Sequence, residues 1–302
     1  MKAILKTVAV AAFLILGGCG KHPQPTPAPT PTPTPGPEPA KEIPIKLAAT
    51  VTKVTDQEFE SGEKIGLYVV NRDGSALSST GNHVTNAAFT FDGLAWSSSQ
   101  DHYWKDENTH ADFYAYYPYM STVSDVTAIP FSIGTDQSTY VLYKQYEVLW
   151  GKTADAAPSE NPVSIKMMHS LSNILIYIKP GKGYTEETLS QQEISIKVGG
   201  TVLGGTLNLS NGTVTAKGEV GEITPFKEDD HYRAMLVPQK IEDVTFITLK
   251  VGESEYSLKK SGTFESGKQY NCTVTVNRTS EGISIGIGDW IVGDEDFGGT
   301  VG

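Results

Sequence analysis

Short runs of alternating apolar and polar residues recur along this chain, and they restrict its fold more than any other feature. One inward row runs from Ile43 to Val51, and another runs from Val163 to Leu171. A period of two places alternate side chains on one face of a β-strand, and helical spacing of apolar residues is hard to find here. Turn signals such as Asp92-Gly93 and Asn211-Gly212 separate the runs. The sequence therefore predicts an all-β fold of short antiparallel strands packed as β-sandwiches.

The alternation changes phase once, near Ser172-Asn173. The apolar residues of the row that ends at Leu171 lie at odd positions, whereas those of the next row, from Ile174 to Ile178, lie at even positions. A shift of one residue within a strand predicts a β-bulge at this point. Pro180 and the glycines at 181 and 183 then break the run. We predict two tandem β-sandwich domains, residues 42–182 and residues 183–302.

The first residues have the three parts of a bacterial signal peptide. Lys2 and Lys6 supply positive charge, and an apolar run extends from Val8 to Leu16. This run is too short to span a bilayer, which takes roughly 20 residues. Residues 16–19, Leu-Gly-Gly-Cys, resemble the lipobox, which implies a signal peptide of residues 1–18 and lipid on Cys19. An ordinary secretory signal is the alternative.

Residues 19–41 predict a lipidated cysteine followed by a stiff linker. Prolines alternate with other residues from Pro23 to Pro39, and no side chain there can seed a core. Such a segment takes an extended polyproline conformation of about 3.1 Å per residue, so it would reach roughly 50 Å. A lipid anchor with this spacer would hold a folded domain clear of a membrane surface.

Charge and cysteine content exclude several classes of function. The chain has 35 acidic and 24 basic residues, a net charge of -11. It therefore lacks the basic stripe that neutralises phosphates, and we expect no nucleic-acid partner. Lipid on Cys19 would leave Cys272 without a disulfide partner, and the alternation around Cys272 predicts a buried strand residue. We expect no zinc cluster and no cofactor.

Several short segments, taken in order, resemble one known family. Besides the lipobox they are residues 112–119 (DFYAYYPY), 148–151 (VLWG), 169–172 (HSLS) and 267–270 (GKQY). In this order and spacing the chain resembles the fimbrillins, pilin-like lipoproteins of Bacteroidetes. The resemblance covers nearly the whole chain after the linker, and no single segment is specific.

The resemblance implies two transthyretin-like β-sandwich domains and a non-enzymatic role as a structural or accessory subunit of a surface fibre. It also implies an outer-membrane or cell-surface location, partners among other fimbrial subunits, and adhesion to host or bacterial surface ligands. In such fibres the first strand is removed by proteolysis and a strand of the next subunit replaces it. Here the removable strand would be residues 43–51, and a plausible donor is residues 283–292.

The protease site departs from the family pattern. The best-studied fimbrillins are cut after an arginine between the first strand and the rest of the domain. This chain has no arginine between Cys19 and Arg72, and Arg72 lies beyond the second predicted strand. Lys53 lies in the expected loop. Lys53 and Arg72 are therefore the two candidate cleavage sites, and the alternatives are an uncleaved anchor subunit and a subunit that is assembled differently.

Two other functional classes deserve comparison with this hypothesis. Trp96 and Trp104 could stack on a sugar, which would suit a surface lipoprotein that binds glycans for uptake. A cluster of polar residues lies between Trp96 and the aromatic strand that begins at residue 112. It contains Asp101, His102, Asp106, Glu107 and His110, which could form a hydrolase site or bind a metal. Its spacing matches no catalytic or metal-binding template, so we expect a solvated loop with no catalytic and no metal site. His169 stands in an apolar row and is expected to be a hydrogen-bonded core residue.

Overall fold

The predicted strands dominate the structure, a computed structural model that describes residues 41–51, 58–279, 282–287 and 291–292. Within these residues the chain forms twenty β-strands and two short α-helices, so the all-β prediction is confirmed. The signal peptide, the linker and Lys53 lie outside the described residues. The described residues all belong to one compact unit.

The first half of the chain contributes nine strands and one helix to the described structure. They are β1 (Leu47–Val51), β2 (Lys64–Asn71), β3 (Val84–Phe91), β4 (Trp96–Ser98), β5 (Ala111–Tyr117), β6 (Ile129–Ser132), α1 (Tyr140–Lys144), β7 (Leu149–Ala156), β8 (Val163–His169) and β9 (Ser172–Pro180).

The second half contributes eleven strands and one helix to the described structure. They are α2 (Glu186–Ser190), β10 (Ile194–Val202), β11 (Gly204–Leu207), β12 (Val214–Ala216), β13 (Val220–Ile223), β14 (Phe226–Glu228), β15 (His231–Leu236), β16 (Gln239–Val251), β17 (Ser254–Phe264), β18 (Gln269–Thr279), β19 (Gly282–Ile287) and β20 (Ile291–Val292). In the described part of the chain neither helix has the length and hydropathy to cross a bilayer.

The strands assemble into four sheets. One sheet of seven strands has the order β1-β8-β7-β5-β2-β3-β4 and belongs wholly to the first half. A six-stranded sheet has the order β14-β15-β9-β18-β19, with β20 also paired to β18. Sheets of four strands (β13-β10-β16-β17) and three strands (β12-β11-β6) complete the fold. Among the described strands most pairs are antiparallel, and the two exceptions are β1 with β8 and β9 with β18.

The central strands β2 and β5 of the seven-stranded sheet, and the start of β7, are buried on both faces, because each face packs into a different core. In β7, Leu149 belongs to the core that also contains the first strand, whereas the next residue, Trp150, belongs to the larger core of the second half. In β2, Leu67 and Tyr68 divide between the two cores in the same way. Alternation along a strand that is buried on both sides therefore decides which core each residue joins.

The phase change near Ser172-Asn173 marks a crossing between sheets, so the predicted bulge is wrong. β8 ends at His169 in the seven-stranded sheet, and β9 begins at Ser172 in the six-stranded sheet. Ser170 and Leu171 carry the chain across. The two strands pair with different strands, so the inward positions of β8 do not determine the inward positions of β9.

The domain boundary at residue 182 stays a prediction. β9 precedes this boundary, yet it pairs with β15 and β18 from beyond it. Likewise β6 pairs with β11, which places a strand of the first half in a sheet of the second half. These pairings and the shared core tie the two halves of the described chain together.

Cys272 is expected to be inert toward thiol reagents in the folded protein. It lies in β18 and is only 1% exposed, and burial raises the pKa of its thiol to about 12. Because the thiolate is the reactive form, neutral pH leaves almost none. Ellman's reagent, added to a chain that starts after Cys19, should react only after denaturant is added. Rapid reaction of the native protein would contradict this.

Candidate functional site: the groove of the first strand

The first strand lies at the edge of the seven-stranded sheet. β1 pairs in parallel with β8, so that Leu47 lies opposite Val163 and Val51 lies opposite Met167. The hydrogen-bonded ladder is on this side alone, because β1 is the last strand in its sheet. A strand at an edge can leave without breaking the pairing of any other two strands. This position sets β1 apart from the central strands of the sheet.

The residues just before β1 are held on both sides. The Ile45 amide donates to the His102 carbonyl over 2.8 Å, and the Trp104 amide donates to the Ile43 carbonyl over 2.9 Å. On the opposite side the Val163 amide donates to the Lys46 carbonyl over 2.8 Å. Residues 43–46 therefore sit in a slot between β8 and residues 102–104, and β1 continues that slot as an edge strand.

The inward row predicted from the sequence is buried in the structure. Its first four members, Ile43, Ile45, Leu47 and Ala49, are each less than 9% exposed and belong to one apolar core. Residues that the rest of the domain contributes to that core, such as Ile65, Phe113 and Ile165, are fully buried. The first strand therefore forms one wall of this core and is not a peripheral surface segment.

Trp96 and Trp104 are part of this wall, and they do not form the exposed platform expected for sugar stacking. Trp96 is 8% exposed and Trp104 is 5% exposed. The Trp96 indole Nε1 donates to the Ala49 carbonyl oxygen over 3.1 Å, which pins β1 at its centre. The Trp104 ring packs on Phe113 with centroids 5.2 Å apart. Both rings lie in the same apolar core as the inward row of the first strand.

Arg72 follows β2 directly and is engaged on two sides. Its amide donates to the His110 carbonyl over 2.8 Å, and its guanidinium lies 3.3 Å from an Asp112 carboxylate oxygen and 3.4 Å from one of Asp155. A protease needs an extended segment around the bond it cuts, whereas Arg72 begins an exposed turn and its amide is hydrogen-bonded to the His110 carbonyl. Arg72 also lies after β2, which is paired on both sides by β3 and β5.

The polar cluster between Trp96 and β5 does not converge on one point. Asp106 accepts hydrogen bonds from the Asn108 and Thr109 amides within its own turn. His110 lies 3.0 Å from Asp155, and His102 contacts Ser98. Among the described residues, no group of three or more His, Cys, Asp or Glu side chains is arranged to hold a metal ion.

His102 adjoins the slot of residues 43–46, because its backbone carbonyl accepts the Ile45 amide. Partial burial lowers the pKa of His102 below its ordinary value of 6.5, and the nearby His83 lowers it further, while Asp101 acts in the opposite direction. The ring is therefore neutral at neutral pH. The His83 Nε2 lies 2.7 Å from the Tyr103 carbonyl and so braces the same segment.

A buried polar cluster between the two halves was found only in the structure. His169 Nδ1 lies 2.5 Å from Glu147, and both side chains are about one-tenth exposed or less. Nearby, Tyr143 donates to Asn173 over 3.2 Å, and Asn173 donates to Gln269 over 3.0 Å. The sequence indicated that His169 is a core residue, but it gave no sign of these partners.

The C-terminal stretch expected as a donor strand is paired within this chain. β19 pairs antiparallel with residues 274–279 of β18, and β20 pairs with Tyr270 and Asn271. Residues 288–290, between these strands, lie outside the described part of the chain. The stretch therefore occupies the edge of the six-stranded sheet.

The fold, together with the groove in which residues 43–51 lie, defines an all-β protein in which one edge strand completes the apolar core of the first half. The profile of the fimbrillin-like family matches residues 52–290, and the chain belongs to that family. The match begins just after β1, so the family profile covers the body that holds the first strand.

Relatives and solved structures agree with this assignment. A Bacteroides uniformis protein that carries the name fimbrium subunit Fim1C is 26% identical over 260 residues, which cover 80% of this chain and 82% of that protein. A Bacteroides ovatus protein named for a fimbrium tip subunit is 30% identical over 132 residues, 39% of this chain and 23% of its own length. The crystal structure of a Bacteroides ovatus protein named for cell adhesion matches with a TM-score of 0.64 at 18% identity, covering 84% of this chain and 98% of that one. At this identity the last match shows the fold alone.

Proposed function

We propose that this protein is a non-enzymatic subunit of a bacterial surface fimbrium, assembled with other subunits by strand exchange. The observation that carries the proposal is the first strand, an edge strand that supplies one wall of an apolar core. The fimbrillin-like family match and the names of the relatives support a fimbrial role. Adhesion to host or bacterial surface ligands is the corresponding proposal for the assembled fibre.

Export as a lipoprotein fits this role. A signal peptide of residues 1–18, lipid on Cys19 and a proline spacer would deliver the folded subunit to the outer membrane and hold it at the surface. Proteolysis after the first strand would then remove lipid, spacer and strand together. The lipid would then hold the subunit at the membrane only until it is cut, and would not remain in the fibre as a permanent anchor.

Loss of the first strand would create an acceptor for a strand of the next subunit. The amides and carbonyls of β8 that now pair with β1 would lack partners, and the apolar core would open along one side. Both costs are removed when another extended segment enters in the same place.

Lys53 is the cleavage site that best preserves the rest of the sheet. A cut in residues 52–57 detaches β1, which has one ladder partner, together with residues 43–46 in their slot. A cut after Arg72 would also detach β2, whose six consecutive buried residues lie between β3 and β5. We therefore favour Lys53 over Arg72 as the processing site.

A glycan-uptake lipoprotein is the second candidate, and the structure does not favour it. That function predicts ring faces open to solvent around Trp96 and Trp104, whereas both rings lie in the core. A hydrolase would need acid and base groups that converge, and the polar cluster before β5 is dispersed.

Mass determination of the mature N-terminus from purified fibres tests the proposal. We expect subunits in fibres to start after Lys53, and Lys53→Ala to leave the protein monomeric and lipidated on the cell. Arg72→Ala is the matched control and should polymerise normally, because its ion pairs are at the surface. Fibres whose subunits still contain residues 43–51 would contradict the strand-exchange mechanism.

A further inference from the structure

A pocket of about 280 Å³ opens at the surface beside β6, the edge strand of the three-stranded sheet. It lies between β6, the end of β5 and the residues that join α1 to β7. Pro118 and Pro130 are exposed at its mouth, whereas Ile129, Glu147 and Val148 are buried in its walls. Sites for drug-sized ligands have volumes of roughly 300–1,000 Å³, so this pocket suits a single side chain or a molecule of similar size.

Three half-buried aromatic side chains contribute to the walls, namely Tyr117, Phe131 and Tyr146. The Tyr117 hydroxyl is held by its hydrogen bond to a Glu63 carboxylate oxygen over 3.0 Å. The Phe131 ring lies against Gly205, where an added Cβ would be 2.8 Å from it. Aromatic rings attract a cation placed over their faces, so walls of this kind favour a positively charged ligand.

The pocket is also negatively charged. Glu147 is the one Asp, Glu, Lys or Arg among the described residues that line it, and it is 5% exposed. Its ion-pair partner His169 does not line the pocket. Burial raises the pKa of the Tyr117 hydroxyl most, and the charges of Glu63, Glu147 and Glu60 raise it further. The tyrosine in the wall therefore experiences the field of three carboxylates.

Neighbouring positive groups do not cancel this field. The Lys144 ammonium lies 2.5 Å from Glu60 and 3.7 Å from Glu63, and His169 pairs with Glu147. Three carboxylates against these two groups leave a negative charge whether or not His169 is protonated. A negative pocket with aromatic walls and prolines at its mouth complements a cation that is carried on an apolar stem.

We propose that this pocket binds the side chain of a lysine presented by a partner protein. The apolar stem of the lysine would pass between Pro118 and Pro130, and its ammonium would lie between the aromatic walls and Glu147. The compact ammonium suits this volume better than the planar guanidinium of arginine. This contact does not depend on strand exchange, because none of the residues that line the pocket belongs to β1 or β8.

A binding titration on the chain from residue 20, with ¹³C in the methionine methyl groups, tests the proposal. Met120 lines the pocket, and Met167, fully buried in the core of the first strand, is the internal reference. The ligand is Nα-acetyl-lysine methylamide, and its matched control is acetylated on Nε, which keeps the stem and removes the charge. We expect the charged form to shift the Met120 signal and to bind about tenfold more tightly than the control.

Three results would overturn the proposal. They are equal affinity for the charged and the acetylated forms, a Met120 signal that neither form shifts, and binding of n-butylammonium without binding of the lysine derivative. The last result would assign the pocket to a free amine. None of the three bears on strand exchange, so the proposed function and this proposal can fail separately.

Variants locate the source of the preference. Glu147→Gln should remove most of the tenfold difference, whereas Glu253→Gln, at an exposed hairpin turn, should keep it. Phe131→Leu should weaken binding of the charged form more than that of the acetylated form. Tyr140→Leu is its matched control, because Tyr140 is 39% exposed and does not line the pocket. If Glu147→Gln does not fold, Phe131→Leu still decides, since an unchanged preference in that variant would contradict the proposal.

Discussion

A chain that begins at Glu58 is expected to lose most of its folding stability. It lacks Ile43, Ile45 and Leu47, and full burial of each such side chain contributes about 1.5–3 kcal/mol, so about 5–9 kcal/mol in total. Part of this is offset by the chain entropy that an absent strand no longer loses. Since domains of this kind are stable by about 5–15 kcal/mol, the truncated protein should be at the edge of unfolding.

The loss should be reversed by adding the strand in trans. A peptide of residues 41–51 supplies the missing ladder to β8 and the missing apolar row, so thermal unfolding should return toward that of the full chain. A peptide with Leu47→Asp should fail, because it would bury a charge in the core. A peptide with Thr50→Asp is the matched control and should succeed, since Thr50 is exposed. Unchanged stability of the truncated chain would show that the core closes without β1.

The apolar row of the first strand was predictable because burial in a strand has a simple period. Alternation from Ile43 onward needs no knowledge of the partner, and the same holds for Cys272 in β18. The structure confirms the inward face in both places. Local turn signals likewise indicated where strands end. Fold class therefore followed from local chemistry alone.

The partners of these strands were not predictable, because they are set by contacts distant in the chain. Nothing near Ala49 indicates that its carbonyl accepts the Trp96 indole N–H, or that β1 runs parallel to β8. Trp96 and Trp104 each precede a polar residue, Ser97 and Lys105, and nothing in these neighbours indicates that both rings join the same core as the first strand. The pattern at Ser172 misled for the same reason, since one-dimensional alternation cannot distinguish a bulge from a change of sheet.

The contact of Trp150 with the second half shows how the two halves are joined. Trp150 lies in β7, is 6% exposed, and donates its indole Nε1 to the Leu209 carbonyl over 2.7 Å. The ring fits against Gly212, where an added Cβ would lie 2.6 Å from it. Gly212 also has a φ of +75°, a conformation that glycine adopts without strain. A turn signal in the sequence therefore also provides the space for a ring from a distant strand.

Trp150→Ala is expected to destabilise the protein by about 3–5 kcal/mol, the usual cost of deleting a large buried aromatic side chain. Trp150→Phe keeps most of the packing and should cost less, although it leaves the Leu209 carbonyl without its donor, a loss of about 1–3 kcal/mol. Chemical denaturation followed by far-UV circular dichroism measures both. Leu94→Ala, at an exposed turn, is the control and should change the free energy of unfolding by less than about 0.5 kcal/mol.

The shape of the unfolding transition tests whether Trp150 couples the two halves or only stabilises one of them. The larger core contains both Trp150 from the seven-stranded sheet and residues of the six-stranded sheet, so the wild-type chain should unfold in one step. Trp150→Ala should weaken this coupling, and a second transition should then separate from the first. A single transition in Trp150→Ala, shifted by less than about 1 kcal/mol, would mean that the strand pairings of β6 with β11 and of β9 with β18 hold the halves together without the tryptophan.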